Sequence, residues 1–172
     1  MQTKSIALLG AISLGLLTAC ASMNQGSAAR ADMAARSGST VSGTVTFTPV
    51  AGGLQVNAVL AGLTPGEHGF HIHEAGDCSA ADASSAKGHF NPTGKTHGHH
   101  GGDTRHAGDM PNLIANAQGQ ASFSAKVMGL ELSGNTGILG RSVVIHADPD
   151  DYKSQPAGNS GKRVACGVVV AN

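Results

Sequence analysis

Nine histidines occur in this 172-residue chain, and eight of them fall between His68 and His106. Residues 69–109 read GFHIHEAGDCSAADASSAKGHFNPTGKTHGHHGGDTRHAGD. The ninth, His146, ends the apolar run Val143-Val144-Ile145. Imidazole is the commonest protein ligand for transition metals and suits copper and zinc. Two constellations stand out. His71 and His73 are two residues apart, so in a strand they project from one face, while Phe70 and Ile72 point into a core. With His146 at the end of a neighbouring strand they make an open site suited to copper. His89, His97, His106 and Asp109 offer three imidazoles and a carboxylate from one long loop, enough to close a tetrahedral zinc shell. That loop has too few apolar residues to pack by itself, so ligation would supply its order. Spacing alone does not choose His97 over His99 or His100.

The elements that must carry these residues show a period of two. Val41, Gly43, Val45 and Phe47 alternate with Ser42, Thr44, Thr46 and Thr48, and Leu54, Val56, Ala58 and Leu60 follow a turn at 49–53. This predicts an antiparallel hairpin with one buried face. Further strands are expected at 69–74, 112–117, 121–128, 142–146 and 164–171. A weaker alternation through Ala31, Met33 and Ala35 predicts an edge strand. Segments 75–111 and 147–162 are too long for ordinary hairpin loops and read as functional. The expected fold is all-β, about eight antiparallel strands in a β-sandwich or flattened barrel with two long functional loops. Twenty-five glycines, no Trp and 40% hydrophobic residues fit short strands joined by turns in one domain. Eleven basic residues balance eleven acidic ones, and without a basic stripe a nucleic-acid partner has no support.

Residues 1–19 read as a separate object. Lys4 precedes an uncharged run from Ser5 to Ala19 that is too short and too rich in Gly and Ser for a comfortable membrane span, but fits a secretory signal. Its ending, Leu17-Thr18-Ala19-Cys20, resembles a bacterial lipobox. That implies cleavage before Cys20, a lipid on Cys20 and a flexible tether over 20–30, with the domain at 31–172. Ala21 and Ser22 after the cysteine favour, by the same resemblance, anchoring in the outer membrane. The expected location is therefore the cell envelope, on the periplasmic side. Cys78 and Cys166 remain, an even pair in an exported chain, and are expected to form a disulfide.

The stretches GFHIHEAGDCS, GHFNPTGKTHG, RHAGDMPNL, VVIHADPDD and GNSGKRVACGVV together resemble copper/zinc superoxide dismutase, in the family's order, from about residue 40 onward. The resemblance implies a Greek-key arrangement and Cu(II)/Cu(I) and Zn(II) as cofactors. It makes His71, His73, His89 and His146 the copper ligands. His89 would also bind zinc, as a bridge, with His97, His106 and Asp109. Asp150 matches a carboxylate linking ligands of the two metals, His68 a buried structural histidine, and Arg163 an anion-guiding arginine. His89 and Arg163 are thus the catalytic residues by resemblance. The implied reaction is disproportionation of superoxide to oxygen and hydrogen peroxide through a copper redox cycle with a zinc-bridging histidine, protecting the envelope. His99 and His100 match nothing and read as solvated. Ala157 stands where a channel-lining Thr is common, and Asp148 where a Lys is often found. The competing reading is a non-catalytic periplasmic copper/zinc-binding lipoprotein, which leaves Arg163 and a shared histidine without a purpose.

Overall fold

The computed structural model describes Met1 and residues 28–172; the expected signal segment and Cys20 lie outside the described residues. Alternating polar and apolar side chains produce nine strands among the described residues. They are β1 (Ala29–Ala35), β2 (Ser42–Val50), β3 (Gly53–Ala61), β4 (Gly66–His68), β5 (Phe70–His73), β6 (Leu113–Ala115), β7 (Ala121–Met128), β8 (Ser142–His146) and β9 (Arg163–Ala171). Their spatial order is β4-β6-β7-β3-β2-β1-β9-β8-β5. The two end members are separated in sequence by Gly69 alone, so the segment 66–73 pairs with β6 at one end and β8 at the other. This nearly closes the sheet into a barrel, consistent with a Greek key. Closure removes exposed sheet edges.

Two sequence expectations are corrected. The strand expected at the edge is β1, and it lies between β2 and β9. Its inward residues, Ala29, Ala31 and Met33, are fully or almost fully buried. Two of the three are alanines, whose small apolar signal understates their burial. β1 also begins at Ala29, two residues inside the segment read as tether. The strand expected at 69–74 is β5, and the short β4 just before Gly69, which the sequence had not suggested, pairs with a different neighbour.

The core follows from the inward sets: Phe47 and Val45 of β2, Leu54, Val56 and Ala58 of β3, and Phe70 and Ile72 of β5, all at most 1% exposed. Phe70 meets Phe123 edge-to-face, with ring centroids 5.4 Å apart, a favoured aromatic geometry. No described helix is long and apolar enough to cross a membrane. The expected disulfide is present, Cys78–Cys166, with a Cα–Cα distance of 5.7 Å. It fastens the start of the first long loop to β9, beside a small cluster of Ala83, Ala86 and Val144.

Candidate metal centre

β5 is buried on both faces. Phe70 and Ile72 fill the barrel, and His71 and His73 stand on its outer wall, as their spacing requires. The sequence suggested an open sheet surface there, but the first long loop folds back over it. Ile72 N–H donates to Gly108 O at 3.0 Å, and Phe90 N–H donates to Ile72 O at 2.8 Å. A side chain at 108 could not permit this approach, since a Cβ there would stand 2.2 Å from Ile72 O. These contacts carry His89, beside Phe90, and Asp109, beside Gly108, against the imidazoles of β5. From the other side, β8 delivers His146. A register shift between Ile145 and His146 sets His146 opposite Arg163 instead of Val164, and such bulges commonly re-aim a side chain.

Among the described residues, two groups bring potential ligand atoms within 4.8 Å of one another: His71, His73, His89 and His146, and His89, His97, His106 and Asp109. All seven residues are buried, Asp109 completely. His89 belongs to both groups. His106 and Asp109 thus join His97 where the sequence had left the choice among loop histidines open. His99 and His100 stay apart, with rings 4.0 Å from each other and packed against Tyr152. His99 is exposed as expected, but His100 is partly covered. His68 is buried, with Nδ1 2.8 Å from His146 O and Nε2 2.8 Å from Thr64 O.

Each imidazole of the first group is oriented by its outer nitrogen. His71 Nε2 donates to Asp150 Oδ2 at 2.8 Å, and His73 Nδ1 donates to Lys87 O at 2.9 Å. His146 Nδ1 faces Gly161 O at 3.4 Å. His89 Nδ1 lies 2.8 Å from Asp109 Oδ1. Fixing one ring nitrogen in this way sets the tautomer and aims the other. The inward atoms, His71 Nδ1, His73 Nε2, His89 Nε2 and His146 Nε2, are buried without any partner. Leaving a buried polar atom unpaired costs roughly 1–3 kcal/mol, so four converging orphans call for a shared acceptor of lone pairs. A metal ion is such an acceptor.

The second group converges on one carboxylate oxygen. Asp109 Oδ2 accepts the main-chain N–H groups of Gly98 at 3.2 Å and His106 at 2.9 Å. Its Oδ1 is left facing Nδ1 of His89, His97 and His106 at 2.8, 3.1 and 3.3 Å. His97 Nδ1 is close to that oxygen yet off the hydrogen-bond line, as expected of atoms aimed at a common point. Three nitrogens and one oxygen match the donor set of a closed zinc site. Asp150 links the groups: Oδ2 takes His71 Nε2, and Oδ1 takes His97 Nε2 at 2.9 Å. The Asn112 carboxamide secures Asp150 by accepting its N–H at 3.0 Å and donating to its carbonyl at 3.1 Å.

Electrostatics follow the same division. Burial, reinforced by neighbouring imidazoles, holds His73 and His146 well below the usual histidine range. Burial lowers His89 to about 4, with Asp109 opposing. His71 is also lowered by burial, against Asp150. Neutral imidazole is the metal-binding form. His97 differs: burial pulls it down, but the Asp109 and Asp150 carboxylates facing its two ring nitrogens outweigh this and raise it to about 9. A cation entering the second group takes the place of that proton. Asp109 and Asp150 are held far below the carboxylate range: burial opposes this, but donated hydrogen bonds from the histidines win.

A cavity of about 210 Å³ opens beside the first group, with His146, Gln155, Ala157, Gly161 and Arg163 in its wall. Arg163 is half-buried, and its Nη1 donates to Ala83 O at 2.7 Å. Burial lowers its guanidinium, with Asp82 opposing, but it remains a cation at neutral pH. Ala83 lies in the loop tied by Cys78, and Arg36 Nε donates to Cys78 O at 2.8 Å. Arg36, Asn112, Gln155 and Tyr152 were not singled out in the sequence. Each acts through main-chain groups far along the chain, which no local pattern encodes.

Residues 41–169 match the family model described as copper/zinc superoxide dismutase (SODC). A protein of Deinococcus radiodurans named "Superoxide dismutase [Cu-Zn]" is 41% identical, over 98% of this chain and 98% of its own length. A protein of the same name from Onchocerca volvulus is 45% identical over 77% of this chain and 90% of its own. Among solved structures, the one titled "Crystal Structure Analysis of the clock protein EA4" superposes with a TM-score of 0.78 at 40% identity, covering 85% of this chain and 95% of that one. The matched residues span both histidine groups, the disulfide and Arg163, and this chain belongs to the copper/zinc superoxide dismutase family.

Proposed function

We propose that this superoxide dismutase holds copper with His71 Nδ1 and with Nε2 of His73, His89 and His146. Nδ1 of His89, His97 and His106 and Oδ1 of Asp109 would hold zinc. The supporting observation is that four buried, unpartnered nitrogens converge in the first group, which shares His89 with the second, beside a cavity walled by an arginine. Copper, when bound, supplies one-electron exchange with superoxide, and zinc supplies a fixed positive charge. The chain does the rest. Arg163 attracts the anion and orients it by hydrogen bonding beside His146, its cross-strand partner. Ala83 O keeps the guanidinium from turning away. His89, with Nδ1 toward Asp109 and Nε2 toward the first group of imidazoles, is placed to hold a proton at Nε2 and pass it to the reduced product. Asp150 keeps His71 and His97 in the tautomers that leave Nδ1 of each free.

The test is superoxide removal by the metal-loaded protein beside Arg163→Ala. Removing one charge near the reacting point should slow the second-order rate about tenfold at low salt. The wild-type rate should fall as salt rises, and the variant's should depend on salt less. Equal rates, or equal salt dependence, would remove Arg163 from its assigned role. Full loading with both metals and no superoxide removal would reject the catalytic reading and leave only a metal-binding protein.

The protein acts in the cell envelope in this proposal, held by a lipid on Cys20 and protecting against superoxide outside the cytoplasm. Two features support it: the sequence around Cys20, and a disulfide of the kind that persists in oxidising compartments. Cys20→Ala should shift the protein from the membrane fraction to the soluble fraction of lysed cells. Retention of the variant in the membrane fraction would overturn the anchor.

A further inference from the structure

His97 sits in a stretch without regular secondary structure, so no ladder of strand hydrogen bonds fixes its main chain. Gln155, 58 residues away on the loop that walls the cavity, does so instead. Its Oε1 accepts the N–H of His97 at 2.9 Å, and its Nε2 donates to the carbonyl of His97 at 2.9 Å. One carboxamide thereby satisfies both main-chain polar groups of a residue on another loop. Nε2 donates also to Lys153 O at 3.2 Å, which holds the carboxamide in plane with its own loop.

That loop arrives already folded. The Asp151 carboxylate accepts the N–H groups of Lys153 at 2.9 Å and Ser154 at 2.8 Å. Gly158 N–H donates to Ser154 O at 2.7 Å, and Asp151 N–H to Gly158 O at 2.9 Å. Gly158 makes a second contact with the same histidine. At a φ of +66° its bare main chain covers the His97–Asp150 bond, and a Cβ there would lie 1.8 Å from Asp150 Oδ1 and 2.7 Å from His97 Nε2. The segment 155–158 thus grips the main chain of His97 at one point and shields its ring from water at another.

We propose that Gln155 is a positioning residue for zinc: its carboxamide pins the main chain of His97 and so slows zinc release. Zinc escapes only when its ligands turn away, and a pinned main chain leaves His97 nothing but side-chain rotation, which its bond to Asp150 opposes. The inference rests on the assignment of His97 to the zinc set.

The measurement is the rate at which the copper- and zinc-loaded protein yields zinc to an excess of a colorimetric chelator at neutral pH. Gln155→Ala should release zinc roughly tenfold faster, the effect usual for groups that orient a ligand. Gln155→Glu keeps the acceptor for His97 N–H but loses the donor to its carbonyl, and should fall between the two. Lys153→Ala, on the same loop, should match the wild type. The thermal midpoint of the metal-free protein should be the same for Gln155→Ala and wild type, because a role in holding zinc leaves the barrel untouched. Unchanged zinc release would overturn the proposal. So would equal acceleration by Lys153→Ala, or equal loss of midpoint with and without metal. His97→Ala separates the two levels of the argument. If it retains zinc, the ligand assignment fails; if it loses zinc while Gln155→Ala does not, only the role of Gln155 fails.

Discussion

His89→Ala is expected to lower superoxide removal by about 10²–10⁴-fold, the range lost when a positioned proton-transfer group is deleted, and to weaken both metals together. The prediction follows from its place in both groups: Nδ1 lies 2.8 Å from Asp109 Oδ1, and Nε2 is buried without a partner on the other side. Among the described residues no other is shared by the two groups. His73→Ala should weaken copper and spare zinc, and His106→Ala should do the reverse. Metal content after dialysis against a weak chelator, measured beside activity, distinguishes these patterns. A His89→Ala protein that kept zinc at full occupancy would remove His89 from the second group.

The second large effect concerns the disulfide. Cys166→Ser should cost about 4–5 kcal/mol of stability on the chain-entropy account, because the bridge closes a loop of 88 residues. That figure is close to the total stability of many domains, at 5–15 kcal/mol. It is measured by denaturant unfolding of the metal-free variant and of metal-free wild type, so that ligation does not mask it. A loss below about 1 kcal/mol would place the constraint elsewhere, and the structure names where. Arg36 Nε donates to Cys78 O, and Ser37 N–H donates to Ala81 O at 2.8 Å, so the turn after β1 grips the same loop without the bridge. Activity should fall less than stability. Ala83 O, the anchor of Arg163, is held by these contacts as well as by the bridge.

Much of the site was legible because its donors are of unusual type and lie at informative spacings. His71 and His73 two apart on a strand, and a carboxylate three residues after His106, follow from local geometry. His97 did not. His97, His99 and His100 sit within four residues of one another on the same polar loop, and only the match to the family separated them before their contacts were known. β1 was underestimated because alanine packs well but signals weakly. Gln155, Asn112 and Arg36 carried no signal, since a carboxamide or guanidinium bonded to a remote main chain looks like any exposed polar residue in sequence.

The sequence by itself determined which atoms were available: six histidines and one aspartate of the right chemistry, alternation that makes strands, and two cysteines to pair. The tertiary structure decided which of those atoms meet. Asp150 reaches His71 and His97 across 79 and 53 residues, and Arg163 reaches Ala83 across 80. A one-residue register shift sets His146 opposite Arg163 instead of Val164. Residue periodicity reports which face a side chain occupies, and so it placed His71 and His73 side by side on one face. It carries no information on the pairing of distant segments, which is fixed by barrel closure and loop docking. The histidine cluster became two metal sites sharing one imidazole only when the chain closed around it.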